Sequence, residues 1–185
     1  MCSIRYGCAL FHKRAMKKRA AIIVILITAL TITLIVSLNL NKAYIEKQKE
    51  TLAEAKIVLT ADERSILLNR ENIILYSEEF EAVLDTSTTE PTVHIYTGVQ
   101  LKDLLNSNNI DFQGKVIIVS GADGYAAAYS SDEVSIDKNV YIAFMEDGKY
   151  LGSKDTGGRG PYESIVATDI FSSRRCKWIT EIEVK

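Results

Sequence analysis

Cysteine, histidine and proline are scarce in this chain: three, two and two residues in 185. Only Cys176 lies beyond residue 8. A domain in the rest of the chain therefore has no internal disulfide and must hold itself together through its core. His94 is the one histidine beyond residue 12, and a single His far from a single Cys makes no zinc site. No Ser/His/Asp order and no helical metal pair is visible. The glycine cluster near residue 158 lacks the Gly-Lys-Ser/Thr of a phosphate loop and the spacing of a dinucleotide fingerprint. Acid is absent from residues 1–19, which carry Arg5, Lys13, Arg14, Lys17, Lys18 and Arg19. That leaves 16 of the 22 basic residues against all 24 acidic ones in the remainder. A phosphate backbone needs a positive surface, so the acidic remainder argues against nucleic acid as a partner.

Charge is also missing from Ala20 to Leu38. A helix of that length reaches roughly 28 Å, close to the hydrocarbon thickness of a bilayer. The hydroxyls of Thr28, Thr31, Thr33 and Ser37 can bond back to their own helix, so they do not veto insertion. Lys and Arg lie on the N-terminal side, which predicts a cytoplasmic N-terminus and an extracytoplasmic remainder. The run is longer than the apolar core of a signal peptide, and no small-x-small site follows it, so a retained anchor fits better than a cleaved leader. The expected organisation is a basic cytoplasmic segment (1–19), a transmembrane signal anchor (20–40), a helical stalk (41–56) and one extracytoplasmic domain (57–185) in a single-pass cell-membrane protein. The stalk is rich in helix formers with opposite charges at short spacing. Ile45, Leu52 and Leu59 recur every seven residues; one apolar position per heptad suits a solvated stalk better than a dimerising coiled coil.

Within the domain, 57–59, 66–68 and 73–76 read as short strands. Residues 79–85 alternate as a half-buried strand. Residues 86–91 have loop composition. Val93–Tyr96 is a strand broken by Thr97-Gly98, and Leu101, Leu104 and Leu105 have helical spacing that Asn106–Asn109 ends. Val116–Val119 reads as a strand buried on both faces. Residues 125–130 follow, with Tyr125 and Tyr129 on one face as core or cleft wall. Val140–Met145 is a strand, and a hairpin turn at 146–149 leads to Tyr150-Leu151. Trp178, Thr180, Ile182 and Val184 share one face of a closing strand, against Lys177, Glu181 and Glu183. Strands interleaved with one or two helices give a sheet-rich α+β domain, preceded by one transmembrane helix.

The order of several elements resembles a known family. Tyr96-Thr-Gly-Val99 is followed by Leu101-x-Asp103-Leu-Leu105, Asp123-Gly-Tyr125, the Asp147-Gly148 turn, a Gly-Gly-x-Gly-Pro loop at 157–161 and the Lys177-Trp178 strand start. Over roughly residues 66–185 this is similar to the molybdopterin-binding domain of sulfite-oxidase-type oxidoreductases. The resemblance implies that family's mixed α+β fold. It also implies a pterin dithiolene holding molybdenum, with one protein cysteine completing the sulfur ligation, because a soft thiolate suits such a metal. The family cysteine falls near the strand at 79–85, where this chain reads Phe80-Glu-Ala-Val-Leu-Asp-Thr-Ser87. In the family's loop an arginine follows the proline, whereas Arg159 precedes Pro161 here. Lys177-Trp178 matches a segment lying close to the cofactor.

Arg159, Lys177 and Trp178 are therefore the candidate cofactor-binding residues, with no catalytic residue and no metal ligand assigned. Arg159 on a glycine loop either clamps an anion with the backbone N–H groups or is a solvated loop arginine. Cys176 is either a small buried hydrophobe or a thiol whose pKa is lowered by Lys177 and Arg174. The expectation is a membrane-anchored binding module that keeps the scaffold without the chemistry, expects no cofactor, and holds a small ligand or a partner protein. The alternative is a molybdopterin-dependent oxidoreductase, or a subunit of one, whose pocket a partner completes.

Overall fold

The computed structural model describes residues 5–86 and 89–185, with side-chain surroundings for 22–85 and 90–185. Of the loop expected at 86–91, residues 87 and 88 lie outside the described residues, while Thr86 and residues 89–91 belong to strands instead. Two compact units emerge, one ending at Glu46 and one running Lys47–Lys185. Helix α1 (Arg5–Glu54) contributes to both. In the first unit its side chains from Ile22 to Leu40 are exposed, and Thr28, Thr31 and Thr33 donate to carbonyls three residues back. By length and composition this helix can cross a membrane.

The second unit begins on the last turns of α1. Gln48 and Leu52, four apart and so on one helix face, are buried, and Gln48 Nε2 lies 3.4 Å from Thr156 Oγ1. Leu52 belongs to the main core and lines a small bed shared with Phe144, Tyr150, Leu151 and Pro161. Leu59, seven residues on, is buried in a strand, so the Ile45–Leu52–Leu59 heptad has no free apolar face at those two positions. Leu52→Ala is expected to lower stability in urea by about 2–5 kcal/mol, the usual loss for emptying such a site.

Two five-stranded sheets follow. The first takes β1 (Ile57–Ala61), β2 (Arg64–Leu68), β5 (Val116–Gly121), β6 (Ala126–Ser130) and β10 (Ile179–Val184), in the order β2-β1-β10-β5-β6. Only the β1–β10 pair is parallel. The second holds β3 (Ser77–Thr86), β4 (Thr89–Gln100), β7 (Val140–Glu146) and β8 (Lys149–Tyr150) in that order, with β9 (Glu163–Val166) also paired to β7. Helices α2 (Arg70–Ile74), α3 (Leu101–Ser107) and α4 (Ser131–Ser135) connect them. The main core packs Leu59, Leu101, Leu105, Ile117, Val119, Ile142 and Ile182. A smaller one gathers Phe80, Tyr96 and Tyr141, with the Phe80 and Tyr141 rings stacked at 3.7 Å. This is the sheet-rich α+β architecture the sequence implies.

Four local expectations change. Ile73–Tyr76 is not a strand: Asn69 and Asn72 form a reciprocal cap that starts α2 instead. Thr97-Gly98 does not end β4; the pairing with β7 shifts register there and continues. The strand at Val116–Val119 alternates between exposed and buried positions, because its sheet has one covered face. In β10, a register shift between Ile179 and Glu181 changes the parity, so Ile179, Ile182 and Val184 are buried while Thr180 is exposed. Trp178, with φ +51°, sits before the strand rather than on its inner face.

Candidate functional site

The segment Leu151–Pro161 folds back on itself. Arg159 N–H donates to Leu151 O, Gly160 N–H to Gly152 O, and Gly158 N–H to Ser153 O. A Cβ on Gly158 would lie 2.3 Å from Leu151 O, so only glycine permits this approach. Trp178 fixes the other side of the loop, its indole N–H donating to Gly158 O at 2.8 Å and its backbone N–H to Arg159 O. Lys154 Nζ sits 4.9 Å over the indole.

Pinned in this way, Arg159 enters a cleft of about 470 Å³ lined by Leu84, Asp85, Glu146, Arg159, Glu163, Ser172, Arg175 and Lys177. Arg159 and Lys177 are thus brought together, while Trp178 holds the loop from beside. The Arg159 guanidinium bonds Glu146 Oε2 at 2.5 Å and has Glu163 Oε2 3.7 Å from its Nε. Burial works against its charge, but the Glu163 and Glu146 carboxylates outweigh that effect and hold it protonated. Arg175, 8% exposed, donates to Tyr96 Oη at 2.9 Å and Val83 O at 2.6 Å, and lies over the Tyr96 ring. Tyr96 in turn donates to Glu146 Oε1 at 2.8 Å. The Lys177 ammonium makes no hydrogen bond or ion pair among the described residues.

Glu163 is fully buried, and neither carboxyl oxygen has a hydrogen-bond partner among the described residues. Burial raises its pKa, against the pull of Arg159, Arg175 and Lys177. Beyond the cleft, His94 Nδ1 lies 2.8 Å from Asp147 Oδ2 and 3.4 Å from Glu146 Oε1. Asp147, at the hairpin turn, accepts Ile95 N–H, and Asp123 accepts Tyr125 N–H, bonds by which an aspartate stabilises the backbone beside a turn. Tyr125 is exposed and bonds Ser173 O, while Tyr129 is buried against Ser164.

Arg175 escaped sequence reasoning because its neighbour Arg174 has the same chemistry; Arg174 pairs instead with Asp169 and Glu133. The one signal was the cation density of Arg174-Arg-Cys-Lys177. Glu163 carries no sequence mark at all, since only the fold makes it a buried acid.

A family profile for the oxidoreductase molybdopterin binding domain matches residues 78–185. The chain belongs to that family. Its fold is similar to that of the sulfane dehydrogenase SoxCD from Paracoccus pantotrophus, with a TM-score of 0.58 and 17% identity. That match covers 71% of this chain, which spans 38% of the SoxCD chain's length. A search of curated proteins finds no match.

The resemblance implies a molybdenum pterin that takes one thiolate from the protein. Leu84 and Asp85, on the strand where the family cysteine is expected, line the cleft and offer no sulfur. Cys176 does not replace it. Its thiol is buried, 3.6 Å from Tyr125 O, and burial pushes its pKa up to about 12. The lowered pKa that Lys177 and Arg174 suggested does not arise: burial, and after it the Asp123 and Glu163 carboxylates, all raise it. The cations fit the anionic parts of the family's cofactor, but the cleft donors, nitrogen and oxygen only, do not fit its metal.

Proposed function

We propose that this chain is a membrane-anchored, extracytoplasmic binding module that holds a small anionic ligand in the cleft. One observation carries the reading: the unpaired ammonium of Lys177 stands beside Arg159 and Arg175 in an open cleft without a thiol donor. Charged donors in a partly desolvated cleft bind oxygen acceptors strongly. Trp178 contributes by holding the glycine loop, and Arg159 and Lys177 by facing the ligand. The apolar run of α1 supplies the anchor, and the basic residues before it place the domain outside. A partner protein presenting a carboxylate would meet the same cations.

The test is elemental analysis for molybdenum, with a pterin assay, on full-length protein purified in detergent from a cofactor-producing host. Folded protein without stoichiometric molybdenum, binding acetate or methanesulfonate with an affinity that falls about tenfold or more in Lys177→Ala, is the expected result. Near one molybdenum per chain would replace this reading with a molybdopterin-dependent oxidoreductase, or a subunit of one. Family membership favours that second reading, and a partner would then complete the pocket.

A further inference from the structure

Charge in the cleft is evenly matched. Three cations (Arg159, Arg175, Lys177) face three carboxyl groups (Asp85, Glu146, Glu163). With all of them ionised, the site has no surplus charge with which to attract an anion. One member of the set differs physically from the rest. Glu163 is fully buried and its oxygens accept no hydrogen bond, with Arg159 Nε 3.7 Å away, whereas Glu146 is held by Arg159 and Tyr96. Protonating Glu163 leaves the cleft one positive charge in excess and removes a buried charge that has no hydrogen bond.

Resting on the anion-binding reading, we infer that the cleft binds a singly charged oxyanion, a carboxylate or sulfonate, together with one proton that resides on Glu163. The anion takes hydrogen bonds from Lys177 and Arg175, and Glu163, behind them, takes its proton from solvent. Every neighbour of Glu163 is consistent with this role. The loop supplies Arg159 and β7 supplies Glu146, with His94 and Asp147 behind it. The segment before β10 supplies Arg175, Lys177 and the protonated Cys176 thiol, and the end of β3 supplies Asp85. On its own strand Ser164 is occupied by Tyr129 and Cys176, and Tyr162 is a buried neutral phenol, so neither competes for the proton. The raised pKa of Glu163 already favours the neutral carboxyl, and a bound anion raises it further.

The sign follows from linkage. Uptake of one proton per anion makes affinity fall as pH rises through the Glu163 titration, by about tenfold per pH unit at the steepest point. Methanesulfonate is the probe, because its own charge is constant between about pH 5 and pH 9. Calorimetric titration of the full-length protein in two buffers of different ionisation enthalpy should show proton uptake approaching one per anion. Glu163→Gln should bind methanesulfonate at high pH more tightly than wild type and lose the pH slope. His94→Gln should keep the slope. As a check on folding, Glu163→Gln should be stabilised relative to wild type at high pH and equal to it at low pH. A group whose folded pKa is raised contributes stability at low pH that is lost as pH rises through that pKa.

Binding with no proton uptake, or a slope that survives in Glu163→Gln or disappears in His94→Gln, would overturn the proton coupling while leaving the anion site intact. Failure of wild type to bind methanesulfonate or acetate at any pH would remove the anion site and this inference together.

Discussion

Replacing Arg175 with alanine is expected to cost the fold about 3–5 kcal/mol and to abolish anion binding, the larger of the two effects argued here. Arg175 is buried, and its two N–H donors tie Tyr96 in β4 to the Val83 carbonyl in β3, while its plane covers the Tyr96 ring. Removing it frees the Val83 carbonyl and leaves Glu146 and Glu163 facing one cation fewer. Breaking such a network costs more than the network contributes, because the surviving groups stay buried without compensation. Arg175→Lys should recover only part of the loss, since an ammonium restores the charge but not the planar fork. Urea unfolding measures the first effect and calorimetry the second. A cost below about 1 kcal/mol would mean that Arg175 is a solvated cleft cation and not a clamp.

The second large effect is expected at Gly121. A Cβ there would lie 2.3 Å from the Lys177 carbonyl oxygen and 3.3 Å from Cys176 Sγ. Backbone must move to admit it, and the segment that moves carries Lys177. Gly121→Ala should therefore lose about 3 kcal/mol or more and weaken anion binding at the same time. Gly114→Ala is the control. That residue has φ +71° with nothing near its Cβ, so it should lose only the conformational cost, about 1–2 kcal/mol, and bind normally. Equal losses at the two positions would show that the close approach to Lys177 is not the deciding contact.

The α+β class and most strands were readable because their causes are local. Alternation in β3 and the Asp147-Gly148 turn act within a few residues, and the apolar helix needs only its own composition. The misreadings share the opposite origin. The α2 cap depends on two asparagines bonding each other, and apolar Ile73–Tyr76 hid it. The parity change in β10 depends on pairing with β5, more than fifty residues upstream in the chain. The site divided in the same way. Arg159 and Lys177 stood out beside glycines and a tryptophan, which are local marks. Arg175, Glu146 and Glu163 become cleft residues only when β7, β9 and the segment before β10 are brought together, and no spacing along the chain records that meeting. For the thiol, the sequence left two readings, a small buried hydrophobe or an activated thiol, and burial in space decides for the first.

The buried turn at Gln48 and Leu52 determines how the second unit tolerates a cut in α1. A protease cutting upstream of Lys47 releases a fragment that keeps Leu52 in its bed beneath the glycine loop. Cleavage a few residues later, at Lys56 for example, releases one with that bed open to water and Thr156 deprived of Gln48. The loop that presents Arg159 would then rest on one support, Trp178, instead of two. The last eight residues of α1, Lys47–Glu54, thus separate a fragment with a fully braced cleft from one whose cleft is only half braced.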